Sequence, residues 1–158
     1  SAPPLPTGST GRGILRHFRK NRKEGPAMAK VRKVKEIRLS MPNKVGLLSE
    51  VTTAVANAKV NINAICAYAL ENNAFFNLIT SSNTKAKKAL APLGFGIEEK
   101  DVIQVELPNK PGELQKVAKK IADAGIDIDF MYATTAGGKA ACVLKTADDL
   151  NAMKVIRK

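Results

Sequence analysis

Residues 41–62 read MPNKVGLLSEVTTAVANAKVNI, and residues 107–128 read LPNKPGELQKVAKKIADAGIDI. The second stretch follows the first by 66 residues, and the match extends without a gap from 37–68 onto 103–134. Self-similarity at a fixed spacing indicates a repeated structural unit. The sequence therefore predicts two copies of one fold.

Each copy opens with an alternating apolar segment, 37–41 or 103–107, which predicts a half-buried strand. After the turn that holds Asn43 or Asn109, apolar residues recur three and four positions apart, which predicts an amphipathic helix. We expect both asparagines to cap these helices. Pro111 fits the first helical turn, where its missing N–H costs nothing.

Alternation returns in 60–68 and 126–132, and polar turns at 71–73 and 136–138 lead into further strands over 75–81 and 140–146. Each later strand is predicted to form a hairpin with the one before it. Helices begin near Asn83 and Asp148, and the first copy closes with a strand after Gly96. The order is β-α-β-β-α-β, an α+β ferredoxin-like arrangement of an antiparallel sheet with helices on one face.

The second copy lacks a counterpart of this closing strand. Shifted by 66 residues, it should continue about ten residues beyond Lys158. An unpaired sheet edge favours aggregation, so we expect either a shortened chain or pairing with another chain. Residues 31–34 are a less favoured substitute. The predicted domains are 34–101 and 102–158, the second of them truncated.

Positive charge is concentrated at the start of the sequence. The chain carries a net charge of +12, and residues 1–38 hold eleven Lys and Arg against two Glu. The other 120 residues hold 15 basic and 12 acidic groups, a balance that predicts no nucleic-acid footprint on the folded part.

Residues 1–27 contain too few apolar side chains to offset the entropy of ordering the backbone, so they are predicted to be disordered. Their basic run is typical of a nucleic-acid arm or an organelle-targeting peptide. A third interpretation takes Met28 as the natural start. Residues 23–25, Lys-Glu-Gly, are what a purine-rich ribosome-binding sequence would encode just upstream of it.

The residues show no catalytic constellation. The only histidine is His17 in the leader, and no Ser or Cys nucleophile has a candidate base nearby in the pattern. We expect neither enzymatic activity nor a cofactor. No apolar run reaches the roughly 20 residues of a membrane span, and no secretory signal precedes the repeats, so a cytoplasmic protein is expected.

Two further residue pairs are candidates for metal or redox chemistry. Cys66 and Cys142 stand in apolar surroundings without metal-ligand spacing, which favours buried small hydrophobes over a disulfide or a zinc site. Asp127 and Asp129 share one face of a strand. Two carboxylates without a third ligand do not predict a metal site.

The repeated turn joins a strand end to a helix start through Gly46 or Gly112. Backbone N–H groups at that point are unpaired and lie at the positive end of the helix dipole, which suits a carboxylate. The alternative is that the asparagines only cap the helices and the glycines only permit the turn. The residues by themselves favour this second account.

Each copy resembles the ACT domain, and the two copies together span residues 34–158. The resemblance lies in the order of a strand, the loop Pro-Asn-Lys-(Val/Pro)-Gly-x-Leu, a helix, and the segment (Val/Ile)-(Asn/Asp)-Ile. ACT domains are regulatory modules that sense amino acids and typically pair side by side. The ligand lies where the strand–helix loop of one domain faces the second strand of its neighbour. The ligand-binding residues that the resemblance implies are Asn43, Lys44, Val45, Gly46, Leu47, Asn61, Asn109, Lys110, Pro111, Gly112, Glu113 and Asp127.

The resemblance implies that the loop binds the charged head group of the amino acid, and that Asn61 or Asp127 is contributed by the opposing domain. Val45 replaces the proline usual in the turn, and Asp127 replaces Asn61, so we expect two unequal sites. The leading hypothesis is a stand-alone sensor of a free amino acid, forming a homodimer and acting through a partner. The alternatives are a regulatory subunit of a biosynthetic enzyme, such as one of branched-chain amino-acid synthesis, and a nucleic-acid-binding protein that uses the leader.

Overall fold

A computed structural model describes residues 29–158, and this part of the chain contains six strands and four α-helices. In chain order they are β1 (Lys30–Pro42), α1 (Leu47–Asn57), β2 (Ile62–Leu70), β3 (Asn73–Thr80), α2 (Asn83–Leu90), β4 (Gly96–Pro108), α3 (Glu113–Asp123), β5 (Ile128–Ala136), β6 (Lys139–Thr146) and α4 (Asp149–Arg157). A short 3-10 turn, Ala91–Leu93, follows α2. The predicted α+β order and both hairpins are confirmed.

All six strands form one antiparallel sheet in the order β2-β3-β1-β4-β6-β5. The two long strands, β1 and β4, lie side by side, with Lys30 opposite Glu106 and Ser40 opposite Gly96. The later part of β1 also pairs with β3, and the later part of β4 pairs with β6. Each long strand therefore belongs to both repeats.

The strand that the second repeat lacks is provided by the same chain. Residues 30–35 of β1 pair with the half of β4 that opens the second repeat. Ala29 and Val31 pack against the second core. The expectation that another chain fills this edge is wrong, and residues 31–34, the less favoured substitute, occupy the position.

The basic side chains of this half-strand have partners on β4. In the structure Lys33 and Lys35 lie 3.1 Å and 2.8 Å from the carboxylate of Asp101, and Arg32 donates to Gln104 Oε1 at 2.9 Å and 2.6 Å. Hydrogen bonds from Lys35 and Lys33 hold the pKa of the Asp101 carboxyl below its usual range. The basic residues from Lys30 onward are thus part of the sheet. The predictions about residues 1–27 lie outside the described residues.

Two cores lie on the same face of the sheet. Directly opposed residues of an antiparallel ladder share a face. Leu39 opposes Ile97 in the first core, and Val31 opposes Val105 in the second. Helices α1 and α2 cover the first core and α3 and α4 the second, through Val51, Val55, Leu90, Val117, Ile121 and Ile156. We call this the helix face.

The opposite side, which we call the far face, carries a third and smaller apolar cluster. Its members are Val34, Ala64, Ile79, Val102, Phe130, Tyr132 and Val143. Ala64 lies on β2 and Phe130 on β5, the two ends of the strand order, so they share a cluster only because the twisted sheet curls. The two repeats therefore touch across a concave far face.

The second helix of each repeat begins with the same hydrogen bonds. Asn83 Oδ1 accepts from the backbone N–H of Thr80 at 3.3 Å and from its hydroxyl at 2.7 Å. Asp149 Oδ1 accepts from the same two groups of Thr146 at 2.9 Å and 2.7 Å, and Lys145 Nζ lies 2.8 Å from Oδ2. Burial raises the pKa of the Asp149 carboxyl, but hydrogen bonds from Lys145 and Thr146 outweigh it and hold the pKa below its usual range.

Replacing Asp149 with the first repeat's residue, Asp149→Asn, should flatten the acid dependence of stability. Because the folded-state pKa lies below the unfolded value of about 3.9, the carboxylate stabilises the fold above that pH and loses its contribution as the pH falls through the folded pKa. The variant should be about 1 kcal/mol less stable at neutral pH. Urea titrations at neutral and acidic pH measure the free energy of unfolding of both proteins. A difference between them that is as large in acid as at neutral pH would contradict the prediction.

Candidate functional site

Both strand–helix loops end in the same backbone conformation. Gly46 has φ 94° and Gly112 has φ 84°, each directly before the first residue of its helix. Side chains with a Cβ are strained in this left-handed region, so the loops require glycine at these positions. The 66-residue repeat therefore preserves a specific loop geometry.

Asn43 and Asn109 do not cap the helices, contrary to the prediction. The cap positions are Gly46 and Gly112, and no side chain within residues 29–158 caps the backbone N–H groups of either helix. The Asn43 N–H instead donates to the carbonyl of Asn72 at 2.8 Å, which ties the loop to the hairpin turn. The reason is that the chain needs a left-handed residue immediately before the helix. Glycine takes that place, and the prediction that Pro111 lies in the first helical turn is wrong, because it falls just before the cap.

In the second repeat, Asn109 is bound to the hairpin turn twice. Its N–H donates to the carbonyl of Gly138 at 2.9 Å, and its side-chain Nδ2 donates to the carbonyl of Gly137 at 3.1 Å. The amide oxygen of Asn109 thus has a fixed direction. The loop is held against the β5–β6 turn before any ligand arrives.

Within residues 29–158 no side chain accepts from the first N–H groups of α1 and α3, although the Glu113 N–H donates to the carbonyl of Lys110 at 3.3 Å. They lie at the positive end of a helix dipole, where an anion is stabilised. The acidic residue in each first turn already has a basic partner: Glu50 lies 3.3 Å from Lys44, and Glu113 lies 2.9 Å from Lys116. Each loop is therefore able to receive a carboxylate.

A cavity of about 210 Å³ lies beside the second loop. Three of the predicted residues line it, namely Asn109, Lys110 and Glu113. Thr134 and Thr135 of β5 line it as well. Sequence reasoning missed both. Consecutive residues of a strand project to opposite faces, and Thr135, which lies opposite Ala140 of the second core, is the one on the helix face.

In the first loop the predicted residues are in different environments. Val45 is fully exposed, whereas the Leu47 side chain is buried in the first core, so only the Leu47 backbone is open to a ligand. Lys44 is engaged with Glu50. The two loops are thus unequal in surroundings, though alike in backbone.

Asn61 lies at the far end of its hairpin from the loop of its own repeat. Its N–H donates to Ser81 Oγ and its carbonyl accepts from the Ser81 N–H, both at 2.9 Å. The loop contacts the opposite end of that hairpin, at Asn72. Strand β2 has nine residues between these ends, which at about 3.3 Å per residue is roughly 30 Å.

Strand register also separates the first loop from Asp127 within one chain. Ile128, the residue after Asp127, lies opposite Thr146 on β6. Following the register from β6 across β4 to β1 leads to Lys35, in the middle of β1. The loop begins after Pro42, seven residues further along β1, which is roughly 23 Å. The structure therefore does not bring Asp127 to this loop inside a single chain.

Large apolar side chains are exposed next to both outer strands of the sheet. They occur in equivalent pairs, Leu48 with Leu114 on the helices and Ile65 with Met131 on β2 and β5. Among residues 29–158, strands β2 and β5 are the two outer strands and each pairs with a neighbour on one side only. None of the helices within residues 29–158 is long and apolar enough to cross a membrane.

Comparison with known proteins gives one family match and several structural relatives. The family model of the ACT domain pair matches residues 32–158. The crystal structure of a protein from Bacteroides thetaiotaomicron is 28% identical, with a TM-score of 0.75 over 80% of this chain and 88% of that one. A search of curated proteins found no match.

Two regulatory subunits of aspartate kinase share the fold. The subunit from Thermus thermophilus is 14% identical, with a TM-score of 0.62 over 83% of this chain and 95% of that one. The subunit from Thermus flavus is 15% identical, with a TM-score of 0.60 over 84% and 97%. The family match starts inside the half of β1 that completes the second repeat and runs to Lys158. The chain belongs to the ACT domain pair family.

Proposed function

We propose that this protein is a non-catalytic regulator that binds a free amino acid at its strand–helix loops. The observation that carries the proposal is the second loop, where α3 begins directly after Gly112, without a side-chain cap, beside a cavity lined by Asn109 and Glu113. An amino acid's carboxylate would bind the N–H groups of the first turn of α3 that follow Glu113, whose own N–H donates to the carbonyl of Lys110. Its ammonium would bind amide or carboxylate oxygens.

A second copy of the chain would complete the site. Register keeps Asp127 away from the first loop, so the facing strand that the family resemblance implies would come from a neighbour. The unpaired sides of β2 and β5 and the exposed Ile65 and Met131 support side-by-side pairing of two chains. In that arrangement Asn61 or Asp127 of one copy would face the loop of the other.

Thermal-shift measurements with each of the twenty amino acids test the proposal. A ligand that binds only the folded state stabilises it by about 2.7 kcal/mol at a concentration 100 times its Kd, so at least one amino acid should raise the Tm. Asn109→Ala should weaken that response strongly, and Asn43→Ala is the matched change in the other repeat. No response to any amino acid at millimolar concentration would contradict amino-acid binding.

A second candidate is a regulatory subunit that docks on an amino-acid biosynthetic enzyme. The aspartate kinase subunits of the two Thermus species support it, because this chain matches 95% and 97% of their length. Affinity purification from the native host should then recover a catalytic chain in fixed ratio. Recovery of this protein alone would favour the stand-alone sensor.

A further inference from the structure

We propose that the far face holds a second ligand site, for a small aromatic monocarboxylate, in a cavity that is built differently in the two repeats. The cavity measures about 220 Å³ and lies between the far face of the first repeat and Phe130 of β5. Its other walls include Arg38, Tyr68, Phe75, Asn77 and Glu98. Pockets for drug-sized ligands measure about 300–1,000 Å³, so a single-ring molecule fits this volume.

Three aromatic rings form the apolar walls. Tyr68 and Phe75 stack with their centroids 5.3 Å apart, and Phe130 lies beneath the Arg38 guanidinium, 4.8 Å from its carbon. Tyr68 is half-exposed despite its stacking. A planar apolar ligand would cover this ring and gain offset or edge-to-face contacts.

Arg38 provides donors that the protein does not use. Its Nε lies 3.3 Å from Glu36 Oε1, and the other oxygen of this fully buried Glu36 accepts from the Tyr132 hydroxyl at 2.8 Å. Within residues 29–158 the buried Nη2 of Arg38 has no partner, and another part of the side chain, which is 27% exposed, lines the cavity. Because Nη2 is shielded, a ligand's carboxylate would reach the exposed edge of the guanidinium and accept a charge-assisted hydrogen bond there.

Asn77 adds a second polar group to the same cavity. It is only 8% exposed and lines the cavity, so its amide is held in place by the surrounding side chains. Glu98 is exposed at this cavity, and its charge disfavours a ligand with a second negative group.

The equivalent cavity of the second repeat lacks the aromatic walls. This cavity, of about 410 Å³, has Gln104, Thr134 and Ala141 in place of Arg38, Tyr68 and Phe75. Two of its three basic groups have partners within residues 29–158: Arg32 donates to Gln104, and Lys139 lies 2.8 Å from Glu106, while Lys30 lines the cavity as well. Aromatic walls with unused guanidinium donors therefore occur only in the first of these two cavities.

Titration of the full-length protein with 3-phenylpropionate tests the proposal. We expect saturable binding, and weak or no binding of propionate, which lacks the ring, or of phenethylamine, which lacks the carboxylate. Tyr68→Thr and Arg38→Gln, which copy the second repeat, should each lower the affinity about tenfold. Arg32→Gln, the same substitution in the other cavity, should leave it unchanged.

The controls distinguish binding at this cavity from binding at the strand–helix loops and from loss of the fold. Arg38→Gln leaves Glu36 without its cation, so Glu36→Val/Arg38→Gln, which copies Val102 and Gln104, removes both charges and should also fail to bind. Tyr68→Thr changes a half-exposed ring and should fold normally. Three results would overturn the proposal: no binding of 3-phenylpropionate at millimolar concentration, binding that survives both Tyr68→Thr and the double variant, or loss of binding in Asn109→Ala.

Discussion

A chain that begins at residue 36 should lose the second repeat and keep the first. The deletion removes the half-strand of β1 that pairs with β4 and takes Ala29 and Val31 from the second core. Burying one Val contributes about 1.5–3 kcal/mol, and each ladder hydrogen bond about 1 kcal/mol. The summed loss exceeds 5 kcal/mol, which is comparable to the whole stability of a small domain.

The two cysteines make this loss measurable. Cys142 is buried in the second core, as predicted, and burial raises the pKa of its thiol, so it reacts slowly in the folded protein. The same prediction is wrong for Cys66, which is only half-buried and belongs to the first repeat. In the shortened chain a thiol reagent should label Cys142 rapidly. A chain that begins at residue 29 is the control, and equal protection of Cys142 in both chains would contradict the prediction.

Arg38→Ala should destabilise the protein by about 3–5 kcal/mol, because it leaves the Glu36 carboxylate buried without its cation. The exposed Arg32 is the matched control, and Arg32→Ala should change stability by about 0.5 kcal/mol or less. Urea unfolding midpoints compare the two. Equal midpoints would show that the buried pair does not hold the far face together.

The second repeat provides a rescue for this variant. Val102 and Gln104 stand where the first repeat has Glu36 and Arg38, so Glu36→Val/Arg38→Gln removes the charge pair as a unit. Replacing both partners of a buried ion pair with packed neutral residues is often close to neutral in stability. We expect the double variant to recover most of the midpoint that Arg38→Ala loses. A double variant as unstable as Arg38→Ala would point to lost packing.

The elements that depend on local pattern were predictable from the sequence. The repeat, the period of two around Ile37 and Ile103, and the helical spacing after Gly46 and Gly112 are all readable within about 20 residues. The same local pattern carried the resemblance to the ACT family. The second loop, with Asn109, Lys110 and Glu113 at one cavity, follows from the same pattern.

Features that depend on distant pairing were not predictable. The half-strand at residues 30–35 has too many basic residues to look buried, and its place is fixed by opposing residues more than 65 positions away. The caps were misassigned because asparagine is a good cap in general, whereas this loop needs the backbone freedom of glycine. The far-face cavity depends on the curl that brings Phe130 to Tyr68, which no single segment encodes.

The central claim is that a single chain completes both repeats. An engineered disulfide between Arg32→Cys and Gln104→Cys tests it most directly, because these two positions lie directly opposite each other in the β1–β4 ladder. Cβ atoms of opposed residues are about 4.5–5.5 Å apart, close enough for a disulfide after a small adjustment. With Cys66 and Cys142 replaced by Ser and Ala, oxidation followed by denaturing, non-reducing electrophoresis should give a bridge within single chains. A bridge that links two chains would show that the second repeat is completed by a neighbour, and would contradict the account.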